Sequence, residues 1–95
     1  MINVIAIIRF DKEKLQLAEK KLQLMLAPSR AELGNIQYLL YLDVLDKEVF
    51  VFYEVWESLE VFEKHKESVH FHEFLEYANI HAKEVQIKEL AVLGS

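Results

Sequence analysis

The chain has 95 residues, of which 53% are hydrophobic and 28% charged, and it contains no cysteine. This is the composition of one globular domain over residues 1–95; it excludes disulfides, thiolate metal sites and a cysteine nucleophile, and it fits a reducing cytoplasm. Eleven Lys+Arg against sixteen Asp+Glu give a net charge of −5, which argues against nucleic acid as the main partner because phosphate recognition needs a basic face. The longest unbroken apolar runs, Val4–Ile8, Tyr38–Leu42 and Val49–Tyr53, are five residues each. A membrane-spanning helix needs about 20, so no membrane partner is expected.

Residues 2–10 are rich in Ile and Val and read as a strand. Asp11 is placed to cap a helix over about 12–27, on which Leu15, Ala18, Leu22, Met25 and Leu26 recur at spacings of three and four. Pro28 interrupts or kinks that helix. Ser29 and Glu32 have capping-box spacing, which predicts one more helical turn before Gly34 closes it. Residues 35–45 read as a second strand, Asp46-Lys47-Glu48 as a hairpin loop, and 49–56 as the clearest strand of the chain. Ser58 is a good cap for a helix over Leu59–Lys66. Ser68 starts another, with Phe71, Phe74, Leu75, Ala78 and Ala82 in one stripe. Residues 84–93 form the last strand.

The order β-α-β-β-α-β predicts an α+β, ferredoxin-like fold. An open sheet face should alternate with polar residues. Here Val49, Val51, Tyr53 and Val55 share one face of the third strand, while Phe50, Phe52, Glu54 and Trp56 share the other. The second strand sets Ile36, Tyr38, Leu40, Leu42 and Val44 against Leu39, Tyr41 and Leu45. Both faces call for burial, yet 95 residues supply only two helices, which predicts a symmetric homodimer packed sheet to sheet.

Three stretches fall in order along the chain: Arg30-Ala31-Glu32-Leu33-Gly34-Asn35-Ile36-Gln37-Tyr38, Glu54-Val55-Trp56-Glu57-Ser58, and His65 followed by His70-Phe71. Together they resemble the R-x-E-x-G-x-x-x-Y, E-x-W-x-S and H-x(4)-H-F stretches of the antibiotic-biosynthesis-monooxygenase-like family, most closely its quinol monooxygenase branch. The resemblance implies a dimeric α+β barrel. It further implies cofactor-free oxidation of a small hydroxyaromatic, a quinol or anthrone, by O₂. Two departures count against the haem-degrading branch: Leu75 stands near the place of its haem-ligating His, and Ile8 stands where it has an Asn. Phe52 replaces an Asn of an anthrone oxygenase. The family also includes an isomerase of a phosphorylated signalling sugar, which would need cationic groups, and Arg9 and Arg30 are the only arginines. A non-catalytic ligand-binding dimer is the remaining alternative.

Cofactor-free oxygenation needs a base, a dry aromatic cavity and donors that hold an oxyanion. His65 is the candidate base or proton relay, and Trp56 can stack on a flat substrate and donate its indole N–H. Around them the expected substrate-binding residues are Phe52, Glu54, His70, Phe71, Tyr38 and Arg30. Glu54 is expected to pair with Arg30 or Arg9, and Arg30 and Glu32 to form a local ion pair and cap. No metal is expected, since His70 and His72 at i and i+2 do not share a helix face. His72 and His81 read as surface residues. No glycine-rich phosphate loop or nucleophile elbow is present, so nucleotide cofactors and hydrolase chemistry have no support.

Overall fold

The computed structural model describes all 95 residues. The elements are β1 (Ile2–Arg9), a 3₁₀ turn (Lys12–Lys14), α1 (Leu15–Gln23), α2 (Leu26–Arg30), β2 (Asn35–Leu42), β3 (Val49–Trp56), α3 (Leu59–Lys66), α4 (Val69–His81) and β4 (Glu84–Leu90). The four strands make one antiparallel sheet in the order β2-β3-β1-β4. This is the ferredoxin-like α+β fold, with the helices on one face.

Strand alternation decides what meets the helices. Val4, Ala6 and Ile8 of β1 point into the core, as do Phe50, Phe52, Glu54 and Trp56 of β3. From the helical side, Ala18, Leu22, Phe62, Phe71, Phe74 and Ala78 close over them. The spacing of Ala18, Leu22 and Met25 keeps one stripe of the first helical segment on the sheet. Ser58 and Ser68 cap α3 and α4 as the sequence suggests, accepting from the N–H groups of Val61 and Phe71. No helix is long and apolar enough to cross a membrane.

Several local expectations change. The helix expected over 12–27 begins as a 3₁₀ turn, stops at Gln23 and restarts at Leu26. Pro28 then falls in the first turn of α2, where its missing N–H would have no partner anyway. Asp11 makes no side-chain cap; its carboxylate pairs with Lys83 at 3.2 Å. β2 ends at Leu42 because Asp43 folds the chain, its Oδ1 accepting from Leu45 N at 2.9 Å and Asp46 N at 3.3 Å. Ile36 is the extra residue of a β-bulge between Asn35 and Gln37, so it is exposed rather than on the Tyr38 face. α4 ends at His81, leaving Ala82 as its cap, and β4 ends at Leu90.

Candidate functional site

His65 and Glu32 are 33 residues apart in sequence, and one glycine brings them together. Gly34 has φ +88°, a conformation that suits glycine. A Cβ there would lie 2.7 Å from the Val61 side chain on α3. The bare backbone lets the turn after α2 lie directly on α3, so Glu32 reaches the rings at the α3–α4 junction. Its Oε2 is 2.6 Å from His65 Nδ1 and 2.7 Å from His70 Nε2. A carboxylate oxygen accepts, so both ring nitrogens donate to it. Ser68, between the helices, donates to the His65 carbonyl at 2.6 Å and accepts from Phe71 N, which fixes the bend that sets the two imidazoles 5.6 Å apart.

Behind this pair the site is dry. His65 is 1% exposed. It packs against Trp56 at 4.5 Å, Phe71 at 5.3 Å, Tyr38 at 5.6 Å and Phe62 at 6.3 Å between ring centroids. Its Nε2 has no hydrogen-bond partner and lies 3.9 Å from Glu54 Oε1. That same oxygen accepts from Trp56 Nε1 at 3.0 Å. Burial holds the His65 imidazole below its ordinary value, against the opposing pull of Glu32. Burial pushes the Glu54 carboxyl up to about 7, the Trp56 N–H opposing and the Glu32 charge adding to the rise. The Tyr38 hydroxyl is raised by burial and then by Glu54.

A cavity of about 130 Å³ opens beside this cluster, between the first helical segment and α4. Lys21, Leu22, Leu24 and Met25 line one side; His70, Glu73, Phe74 and Tyr77 line the other. Among the eight expected site residues, His70 alone lines it. His65, Trp56, Glu54, Tyr38 and Phe71 form the packed cluster behind. Phe52 stacks edge-on against the cavity-lining Phe74 at 5.7 Å. Arg30 is turned to the backbone, its Nε donating to the Tyr38 carbonyl at 3.0 Å.

The expected charge pairings are corrected. Arg9 is held by Asp46 at 2.6 Å and Glu48 at 3.3 Å, and Arg30 by a carbonyl, so neither pairs with Glu54. Glu32 serves the two histidines rather than Arg30 or a cap, and Ser29 is buried inside α2. Sequence reasoning read Glu32 as a local pair and cap and did not place Lys21 at a site; the structure sets Glu32 between the two imidazoles and Lys21 at the cavity. The signal for Glu32 was present in its place two residues before Gly34.

Glu32, His65 and His70 also offer three ligand atoms within 4.8 Å of one another, a convergence that the histidine spacing did not suggest. A zinc ion about 2.0–2.2 Å from each nitrogen and oxygen would hold the ligand atoms about 3.3 Å apart in a tetrahedron. At 2.6 and 2.7 Å from one shared oxygen, the trio has the lengths of charge-assisted hydrogen bonds. His72 is exposed, and His81 is half-buried against Tyr77, its ring 4.7 Å away.

Comparison with known proteins agrees with this architecture. An uncharacterized Synechocystis protein is 37% identical over 67 residues, covering 70% of this chain and 46% of its own length. The chain therefore spans about half of that relative. The Pseudomonas aeruginosa protein PA3566 superimposes with a TM-score of 0.89 at 31% identity, over 98% of this chain and 94% of its own. A solved antibiotic biosynthesis monooxygenase superimposes at 0.91 over 99% of this chain and 100% of its own; at 22% identity it supports the fold alone. The family model for antibiotic biosynthesis monooxygenase matches residues 1–77, which takes in β1 through most of α4 and every residue of the cluster, and the chain belongs to that family.

Proposed function

We propose that this chain is a cofactor-independent monooxygenase that oxidises a small, single-ring hydroxyaromatic of the quinol type with O₂, working as a homodimer. The observation that carries the reading is the cavity between the first helical segment and α4. Its volume of about 130 Å³ compares with the roughly 150 Å³ apolar cavity that takes up benzene. One aromatic ring matches that space and the three fused rings of an anthrone exceed it. Leu22, Met25, Phe74 and Tyr77 give the cavity apolar walls, while Lys21, His70 and Glu73 bring a cation, a base and a carboxylate to the same space. An electron-rich hydroxyaromatic that loses its proton can hand an electron directly to O₂. The protein then has to remove the proton, hold the oxyanion and keep the ring dry.

The isomerase reading finds less support, because Arg9 is engaged by Asp46 and Glu48 and Arg30 by the Tyr38 carbonyl. That leaves no arginine for a phosphate at the cavity. Oxygen uptake by metal-stripped protein, measured against hydroquinone, catechol and anthrone, tests the proposal. Uptake above the uncatalysed rate is expected with the one-ring compounds and not with anthrone. Saturable binding of hydroquinone with no uptake would replace the enzyme by a ligand-binding protein. Uptake with anthrone alone would overturn the one-ring reading.

A further inference from the structure

His70, not His65, is the ring that a ligand in the cavity meets. His65 is sealed at 1% exposure, whereas the side chains of His70 and Glu32 are 22% and 19% exposed. The His70 Nε2–H is engaged by Glu32, which leaves Nδ1 with its lone pair. We propose that His70 is the catalytic base, that Glu32 is its positioning carboxylate, and that buried His65 holds Glu32 in place through the same oxygen. The assignment rests on the cavity being the substrate site, as in the function proposed above.

The step balances within the site. The O–H bond of the hydroxyaromatic breaks and its electron pair stays on oxygen. The proton goes to His70 Nδ1, and the imidazolium formed is balanced by the Glu32 carboxylate 2.7 Å from Nε2. This is the logic by which a buried carboxylate fixes a histidine tautomer and steadies its cation. Lys21 lines the same cavity, its Nζ 5.9 Å from the Tyr77 ring centroid, and is the cation available to the new oxyanion. The other titratable groups around His70 are His65 from α3, and Glu73 and Tyr77 from α4 itself.

An amide can copy the double acceptance at one oxygen but not the charge. In Glu32→Gln the side-chain oxygen can still accept from both rings, as Oε2 does, but the negative charge that balances an imidazolium is gone. The decisive experiment is ¹⁵N NMR of the histidine side chains, with and without hydroquinone under anaerobic conditions, in the wild type, Glu32→Gln and His70→Asn. Without ligand the wild type should show the Nε2–H tautomer at His70, and hydroquinone should move His70 toward the imidazolium. Glu32→Gln should bind hydroquinone and lose that response. In turnover, general-base removal is worth roughly 10²–10⁴-fold, so His70→Asn should lower kcat by that order with KM little changed. Glu32→Gln should lower kcat and displace the acid limb of the pH–rate profile toward lower pH, and Glu32→Asp should restore part of both. If hydroquinone shifts the amide signals of Lys21, Phe74 and Tyr77 but leaves the His70 ring untouched, the base assignment falls while the cavity reading stands. If nothing shifts, the cavity reading falls and the assignment with it. Full kcat in His70→Asn also overturns the assignment.

Discussion

Glu54 sits 5% exposed between Tyr38, Trp56 and His65, and its surroundings determine when it can ionise. Burial raises its folded-state value from an ordinary 4.5 to about 7, so the carboxyl favours its proton more in the folded chain than in the unfolded one. Its contribution to stability is therefore fully present below about pH 4.5 and is lost as pH rises toward about 7. A shift of that size corresponds to about 3 kcal/mol. His65 acts in the opposite direction. Burial lowers its folded-state value, so its contribution is present above the ordinary histidine range and is lost as pH falls below it. The two slopes oppose one another below the ordinary histidine range, so urea unfolding from pH 4 to pH 8 separates them as the difference between the wild type and Glu54→Gln. Glu54→Gln keeps an acceptor for Trp56 Nε1, and it should abolish the decline between pH 4.5 and 7 while leaving the acid limb. An unchanged decline in that variant would show that Glu54 is not its source.

The elements matter chiefly through their junctions. The turn at Gly34 carries Glu32 to the imidazoles, and the bend at Ser68 sets the imidazoles side by side. Gly34→Ala forces a side chain into φ +88° and places its Cβ 2.7 Å from Val61. The strained backbone should cost about 1–3 kcal/mol and the overpacking a similar amount. Adding Val61→Gly, which clears the Cβ at 2.8 Å as well as both Cγ atoms at 2.7 Å, should recover the second part and not the first, which a double-mutant cycle on thermal or urea unfolding can separate. Full recovery would mean that the backbone carries no strain. The caps at Ser58 and Ser68 and the strands over 2–9 and 49–56 were legible because they depend on residues within a few positions of one another. The end of β2 was not, since it depends on Asp43 folding its own loop. The Glu32–His65 contact was not legible either: it spans 33 residues and depends on space at Gly34, which periodicity does not register.

At the scale of the whole molecule, the sheet has a covered face and an uncovered one, and the sequence pattern announced both. The uncovered face carries Ile5 and Ile7 from β1, Leu39 and Tyr41 from β2, and Val51 and Tyr53 from β3. Tyr41 is 53% exposed there, and no helix covers any of these residues. The molecule measures 37 × 32 Å across its two longer axes and 18 Å through the third. A monomer would leave this surface in water, at a loss of about 25 cal/mol for every Å² of apolar area that a partner would bury. A two-fold pairing covers it with the same residues from each copy. Sedimentation should accordingly give twice the 11.2 kDa chain mass. Val51 lies near the middle of the uncovered face, between Ile7 and Tyr41, so Val51→Lys puts two ammonium groups into the proposed interface without touching the core. The variant should sediment as a folded monomer, with an unchanged far-ultraviolet circular dichroism spectrum. A wild type of single-chain mass at every concentration would overturn the dimer. A Val51→Lys protein that stays dimeric would move the interface off this face.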